Sequence, residues 1–511
     1  MVNNENTATI HYNMGLKDLQ NNELDRASFN ISQAIMNGSK IVKKSASIVS
    51  LFIKILTCDW SQTCEEYNAI KQIFHSELSK KEWSFPIIQP CYWKLLADIS
   101  PKQLFELNHK YSDMTMKNIG CTKIYDHDRS LLGNSKRIKV GYISTSFSGC
   151  PHVRLVQGVF RMHNDNRFEI YCYSLACPKK NPPIKSIEQS VEHFIDISDM
   201  DDFAAAEQIY SDEIHVLVNL DGYSNGSRNG IFCLKPAPIR ISLAQTMTMG
   251  ADFVDYFVTN EHVVPSRMQQ FFSEKLVYVP NYCNDYENCA KIVLNEDYEP
   301  YELRSNYQIS EDTFVYACFS EPSKINSSLF KTWMNVLKQT KLSILLLLKH
   351  NDRMKDHLQR QANDLGVESS RLVFLDLKPF DEHIKRFGLV DLYLDTNICN
   401  GTATVFEALW SGTPTLCYNG ELPCSRVSAS LLNSIDMKDL VTNSLEEYEK
   451  IAISLNTDEN EYIGIIRRLE EAKTSYDLFN GKKWVQNFED AIEKIVTRFA
   501  NNQDPDHITI Q

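Results

Sequence analysis

The chain has 511 residues, 43% of them hydrophobic, and a formal net charge of −13. It is too long for one core, so two or three domains are expected; the acidic excess argues against broad nucleic-acid or anionic-membrane binding, which needs a basic face. No apolar run reaches the length of a membrane span, and the polar start Met1-Val2-Asn3-Asn4 is not that of a signal peptide. The 14 cysteines are scattered without a Cys-x-x-Cys pair, and Cys172, Cys318 and Cys417 sit inside apolar runs. That is the pattern of reduced core thiols in an intracellular protein of the cytoplasm, with the nucleus as the alternative compartment.

In chain order, residues 1–135 read as a helical region and linker. Residues 11–39 match one tetratricopeptide-like unit, with a generic helical hairpin as the alternative; Met14-Gly15 falls at a tight crossing and Ala27, Ile31 and Ala34 on the packed face of the second helix. A single unit cannot bury both faces, so it must lean on helices at 46–57, 63–78 and 88–99. Pro101 and the polar stretch 125–136 mark the linker. From residue 136 to 300 the pattern alternates between β and α, with strands at 138–144, 168–175, 214–220, 239–243, 254–259 and 275–279 and a helix at 201–211. Short apolar runs separated by helix-length segments predict a parallel sheet covered on both faces. After a polar hinge at 284–306 the alternation restarts within the third region, 301–511. It gives strands at 313–319, 344–348 and 372–375, helices at 327–339 and 352–365, and a helical tail with a Ser444 to Glu447 capping box. The fold class is therefore α/β, two doubly wound parallel-sheet domains in tandem behind an all-α lead, with ligands expected in the cleft between facing strand ends.

Within the third region the run 389–415 is the most informative. An apolar strand ends at Asp395-Thr396 and enters Asn397-Ile398-Cys399-Asn400-Gly401; a short helix follows, which Thr402 or Thr404 can cap, and Ser411-Gly412-Thr413-Pro414 stops it. A helix start after a strand aims backbone N–H groups and the positive end of the helix dipole beyond the sheet, which favours a phosphate. Asp504-Pro505-Asp506 has the look of a metal clamp but lies in a polar tail, and no histidines are paired at metal-ligand spacing.

Several motifs occur together in one order. They are Cys58-Asp59-Trp60, Val140-Gly141-Tyr142-Ile143-Ser144, His193-Phe194-Ile195-Asp196, Asn219-Leu220-Asp221-Gly222-Tyr223, Lys235-Pro236-Ala237-Pro238, Lys324-Ile325, Glu382-His383, Cys399-Asn400-Gly401, Gly412-Thr413-Pro414 and Ser425-Arg426-Val427. Over nearly its whole length the chain resembles the O-GlcNAc transferase family of nucleotide-sugar glycosyltransferases, to which the SPINDLY branch also belongs. The resemblance implies a GT-B fold with a tetratricopeptide lead, and metal-independent inverting transfer of a sugar to Ser or Thr of intracellular proteins held by the lead and the cleft. UDP-N-acetylglucosamine is the implied co-substrate, with no other cofactor and no nucleic-acid partner. GDP-fucose, a UDP-hexose or a binding scaffold without turnover are the alternatives.

Residue by residue, the resemblance assigns Lys324 to the donor phosphates, His383 and Arg386 to the nucleotide base, Cys399, Asn400, Gly401, Thr402, Ala403 and Thr404 to the pyrophosphate seat, Glu407 to the ribose and His193 to the sugar side. The departures are also specific. Cys150 stands where the family has a histidine facing the acceptor, with His152 two positions on; Thr402 and Ala403 replace His-Thr; and Glu321 replaces a glutamine before the phosphate lysine. A carboxylate at 321 beside a diphosphate is unfavourable unless it is neutral or turned away.

Overall fold

The computed structural model describes residues 2–61, 63–80, 90–96, 98–120, 125–127, 129, 136–145, 147, 151–176, 187–243, 247–281 and 303–511. Among the described residues six helices lead the chain: α1 (Val2–Gln20), α2 (Leu24–Asn37), α3 (Lys40–Leu56), α4 (Thr63–Leu78), α5 (Pro90–Leu96) and α6 (Pro101–Ile119). α1 and α2 cross as expected at Gly15, where a Cβ would come within 2.8 Å of the Ile31 side chain. Ala27, Ile31 and Ala34 form the buried seam with Ala46, Val49 and Ile53 of α3. Pro101 does not begin a linker. It occupies the first turn of α6, where its missing N–H costs nothing, behind a capping box in which Ser100 and Gln103 satisfy each other's backbone.

The first sheet contains β1 (Ile138–Ser144), β2 (Phe168–Ser174), β3 (His193–Asp196), β4 (Val216–Asn219), β5 (Ile239–Ser242), β6 (Tyr256–Thr259) and β7 (Lys275–Tyr278). The second contains β8 (Phe314–Cys318), β9 (Ser343–Lys349), β10 (Leu372–Asp376), β11 (Leu392–Leu394), β12 (Thr415–Tyr418) and β13 (Val441–Thr442). Every pairing is parallel, with Ile138 opposite Phe168 in the first sheet and Phe314 opposite Ser343 in the second. Leu345, Leu346 and Leu347 show why β9 reads as a continuous apolar run: both faces are covered.

Strand order in the second sheet is β10-β9-β8-β11-β12-β13, so winding reverses between β8 and β11; in the first it reverses between β1 and β4. Crevices at such reversals, beyond the carboxyl ends of the strands, are where doubly wound sheets take ligands.

The end of the third region, 301–511, reaches back across the division at 300/301. The last helix, Gly481–Ala500, returns to the first unit: buried Glu489 accepts from Asn164 N–H at 2.7 Å and lies 2.9 Å from His163 Nδ1, whose Nε2 is 2.7 Å from the Tyr142 hydroxyl. The tail then forms β14 (Ile508–Thr509), which pairs with β7 as the outer strand of the first sheet. Asp504 and Asp506 stay exposed, as the sequence suggests. The expected hinge at 284–306 lies largely outside the described residues.

The lead touches both units. Asn108 of α6 donates to the Thr248 carbonyl at 2.6 Å, while Asn351, His357 and Gln361 of the second unit contact the Leu56, Thr57 and Cys58 carbonyls at 3.2, 2.9 and 3.0 Å. Trp60 packs on Phe330, with ring centroids 5.7 Å apart.

Candidate active site at the second sheet's switch point

β8 and β11 each hand their chain to the site. After β8, a tight turn at Pro322–Lys324 places the half-buried Lys324, whose Nζ donates to the Asn400 carbonyl at 2.9 Å. After β11 the chain enters 395–401, a loop tied from all sides. Thr396 Oγ1 donates to the Cys399 carbonyl at 2.7 Å, Asn400 Nδ2 to the Thr396 carbonyl at 2.9 Å, and Asn326 Nδ2 to Asn397 Oδ1 at 2.8 Å. Fully buried Asp395 accepts from the Gly401 N–H at 2.7 Å. Burial pushes its carboxyl up to about 6, opposed by the Ser428 hydroxyl, the Gly401 and Thr396 amides and the Lys324 charge.

Gly401 precedes the helix Thr402–Trp410 and admits no side chain, since a Cβ would sit 2.4 Å from Thr404 Oγ1. The expectation that Thr402 or Thr404 caps this helix is not met: no side chain caps it, and Thr404 Oγ1 instead donates to the Gly401 carbonyl at 2.9 Å. The Tyr393 hydroxyl, 3.1 Å from Thr404 Oγ1, fixes that side chain from below. The first N–H groups of any α-helix have no intrahelical acceptor, and here partly exposed Thr402, Ala403 and Thr404 carry them, beside the Lys324 ammonium group. This arrangement can bind a doubly charged anion.

One turn further along the same helix, buried Glu407 lies 3.5 Å from His383 Nε2. His383 is held edge-on by Phe319 and Phe387, with centroids at 5.5 and 5.7 Å. Lys324, Cys399 to Thr404, Glu407 and His383 therefore form one neighbourhood. Arg386 is 1% exposed, at the junction where the helix Phe380–Lys385 ends and the turn Arg386–Leu389 begins. Glu321 is exposed and borders a cavity of about 620 Å³ between the lead and the second unit, lined also by Leu16, Val49, Phe52, Tyr111 and His350.

His193 is not brought to the cleft. It is the first residue of the outer strand β3, level with Tyr171 in the middle of β2 and three residues short of the carboxyl end where the crevice opens. There it stacks on Tyr171, centroids 4.0 Å apart, and its Nε2 lies 3.0 Å from Glu169 Oε1. Cys150 and the His152 side chain lie outside the described residues. The first unit instead presents Asp221 at its own reversal: it accepts from Ser144 Oγ at 2.5 Å and from Thr145 N–H at 2.6 Å, tying β1 to the turn after β4. Its place in Asn219-Leu220-Asp221-Gly222-Tyr223 was the available signal. Asp395 was marked by its place in Asp395-Thr396 at the strand end, whereas Tyr393 could not be separated by sequence from ordinary strand residues. Among the described residues, no cluster of three His, Cys, Asp or Glu side chains could hold a metal ion, and no helix is long and apolar enough to cross a membrane.

Glycosyl transferase family 41 matches residues 57–296 and 294–488. The chain belongs to that family. It is 32% identical over 464 residues to the probable UDP-N-acetylglucosamine–peptide N-acetylglucosaminyltransferase SEC of Arabidopsis thaliana, covering 89% of this chain and 47% of that protein. It is 26% identical over 567 residues to the UDP-N-acetylglucosamine–peptide N-acetylglucosaminyltransferase of Caenorhabditis elegans, covering 89% and 49%. The family 41 chain thus spans about half the length of the curated relatives it matches. An O-GlcNAc transferase mutant of Thermobaculum terrenum shares its fold, with a TM-score of 0.79 at 19% identity, covering 97% of this chain and 92% of that one. The two parallel sheets and helical lead are therefore a GT-B architecture with a tetratricopeptide-like lead.

Proposed function

We propose that this family 41 chain transfers N-acetylglucosamine from UDP-N-acetylglucosamine to Ser or Thr of intracellular proteins, with inversion and without a metal ion. The observation that carries this reading is the meeting of Lys324, from the end of β8, with the uncapped helix start after β11. A leaving diphosphate gains negative charge as the sugar–oxygen bond breaks, and an ammonium group and oriented N–H donors stabilise that charge in place. His383, in its aromatic slot against Glu407, stands beside the helix as a wall for the nucleotide base and ribose. The acceptor enters along the cavity that Glu321 borders, between the lead and the second unit. Naming the peptide acceptor follows the relatives' printed activity.

The test is to incubate the protein with UDP-N-acetylglucosamine, GDP-fucose and UDP-glucose separately, each with a protein lysate, and to measure released nucleotide and modified protein. UDP release with labelled protein in the first reaction is expected. Preferential turnover of GDP-fucose or UDP-glucose would replace the donor, and binding without turnover of any donor would make the chain a nucleotide-sugar-binding scaffold.

A further inference from the structure

In and beside the diphosphate loop lie two thiols to which the transfer proposed above gives no chemical step. Cys399 and Cys424 belong to separate loops and are 8% and 1% exposed. Their backbones are joined next to them, the Asn400 N–H donating to the Cys424 carbonyl at 2.9 Å. The Cys424 thiol reaches the Ile398 carbonyl at 3.6 Å, and the Cys399 thiol the Asn400 carbonyl at 3.9 Å. The two thiols lie close enough to influence each other's charge, and Lys94 of α5, itself 9% exposed, lies beside both. Trp93, Met247 and Leu422 complete an apolar wall.

Among the described cysteines, burial pushes the Cys58, Cys172, Cys233, Cys318 and Cys417 thiols up, which makes them unreactive. Cys399 is the opposite case: the Cys424 thiol, then the Lys94 and Lys324 ammonium groups, hold it well below the ordinary thiol range despite its burial. A thiolate paired with a resolving thiol is the arrangement that reacts with peroxides.

We propose that Cys399 and Cys424 are an oxidation site for hydroperoxides, closing to a disulfide that locks the diphosphate loop. The Cys399 thiolate attacks one peroxide oxygen, the O–O bond breaks, and a sulfenic acid forms as the departing oxygen leaves as water or alcohol after protonation. The Cys424 sulfur then attacks the sulfenic sulfur, gives up its proton and displaces the hydroxyl as a second water. Two thiols have lost two electrons, and the peroxide has gained them. The backbone bond from Asn400 to Cys424 holds the two loops together, and closure then needs a Cα separation of about 4.4–6.8 Å. The bond forms beside the Asn400 carbonyl that holds Lys324, so the oxidised loop is a poorer seat for diphosphate. This consequence rests on the donor reading above; the disulfide itself does not.

The experiment treats the reduced full chain with hydrogen peroxide, maps disulfides by peptide mass spectrometry, and titrates UDP by calorimetry before and after. A Cys399–Cys424 linkage forming ahead of any other, with UDP affinity lowered about tenfold or more (the loss of roughly one hydrogen bond to a charged group) and restored by dithiothreitol, is expected. Cys424→Ala and Cys424→Ser should bind UDP like the parent when reduced and form no disulfide on peroxide treatment, leaving instead a sulfenic acid at Cys399 that dimedone traps. Absence of the linkage, earlier oxidation of other cysteines, or a linkage that leaves UDP affinity unchanged would overturn the proposal. A reversible linkage in a protein that binds UDP in neither state would support the thiol pair and sink the donor reading instead.

Discussion

Lys324 and Asp395 show how two opposite charges share one site without cancelling. Lys324 is half-buried and bonded to a carbonyl, so its charge remains directed at whatever anion occupies the helix start. Lys324→Ala is expected to lower turnover by about 10²-fold or more while leaving the unfolding midpoint nearly unchanged, because its contribution grows as the diphosphate leaves. Turnover within a few-fold of the parent would remove Lys324 from the phosphate role. Asp395 is fully buried and holds its proton up to a pH near 6, above the 3.8 of an exposed aspartate. The folded state therefore keeps a proton that the unfolded state has released, so the stabilisation is complete below about pH 4 and is lost as pH rises through about 6. Asp395→Asn, which retains an acceptor for the Gly401 N–H, should remove that drop. The difference in unfolding free energy between variant and parent is expected to change by roughly 2–3 kcal/mol across the window, and denaturant titrations at pH 4 and 7 measure it. Cys150 bears on the fate of the acceptor proton. A thiol with an ordinary pKa of about 8.5 is a poor base beside a leaving diphosphate, and a donor phosphate oxygen can take the proton instead. Cys150→Ala and His152→Ala should each keep initial rates within about an order of magnitude, less than the roughly 10²-fold loss of a true general base. Collapse of the His152→Ala rate alone would make His152 the base.

The elements that could be read from sequence are those whose neighbours impose a pattern. β1, β8 and β12 are buried on both faces and appear as apolar runs, and the helix Ser327–Gln339 announces itself through Asn326, which caps it by accepting from Leu329 N–H at 2.8 Å. The strand–loop–helix passage after β11 was legible for the same reason, since Gly401 is the residue a close approach demands. What failed to show has equally local causes. Pro101 looked like a breaker because a proline inside a helix and one at its first turn differ only in their neighbours. β13 and β14 are two residues long and carry no periodicity. The stacking of His193 on Tyr171 and the burial of Arg386 were not legible either, because each depends on a neighbouring strand or turn that leaves no mark in composition. The pairing of Cys399 with Cys424 exists only in three dimensions. At this scale the last helix carries a further test. Glu489 receives the Asn164 N–H and faces His163 inside a closed interface, so Glu489→Ala leaves buried polar groups without their acceptor. A loss of about 2–4 kcal/mol is expected, with faster amide exchange in the helix Gly481–Ala500 and in β14 as its local signature. Uniformly faster exchange across both sheets would argue against a local latch.

Taken whole, the molecule is two sheets held by two clasps. One is the helical lead, which bonds to the first unit through Asn108 and to the second through the Leu56 to Cys58 carbonyls. The other is the C-terminal helix with β14, which leaves the second unit and completes the first. That second clasp sets a timetable. The outer edge of the first sheet, β7, emerges during synthesis roughly 230 residues before its partner strand, a wait of about 10–50 s at ordinary translation rates. For that interval the nascent chain displays an unpaired strand edge, the kind of surface that recruits other strands. Pairing of β7 therefore waits on the return of the last helix, and a chain cut before residue 508 would keep the second sheet's switch point while leaving the edge of the first sheet open.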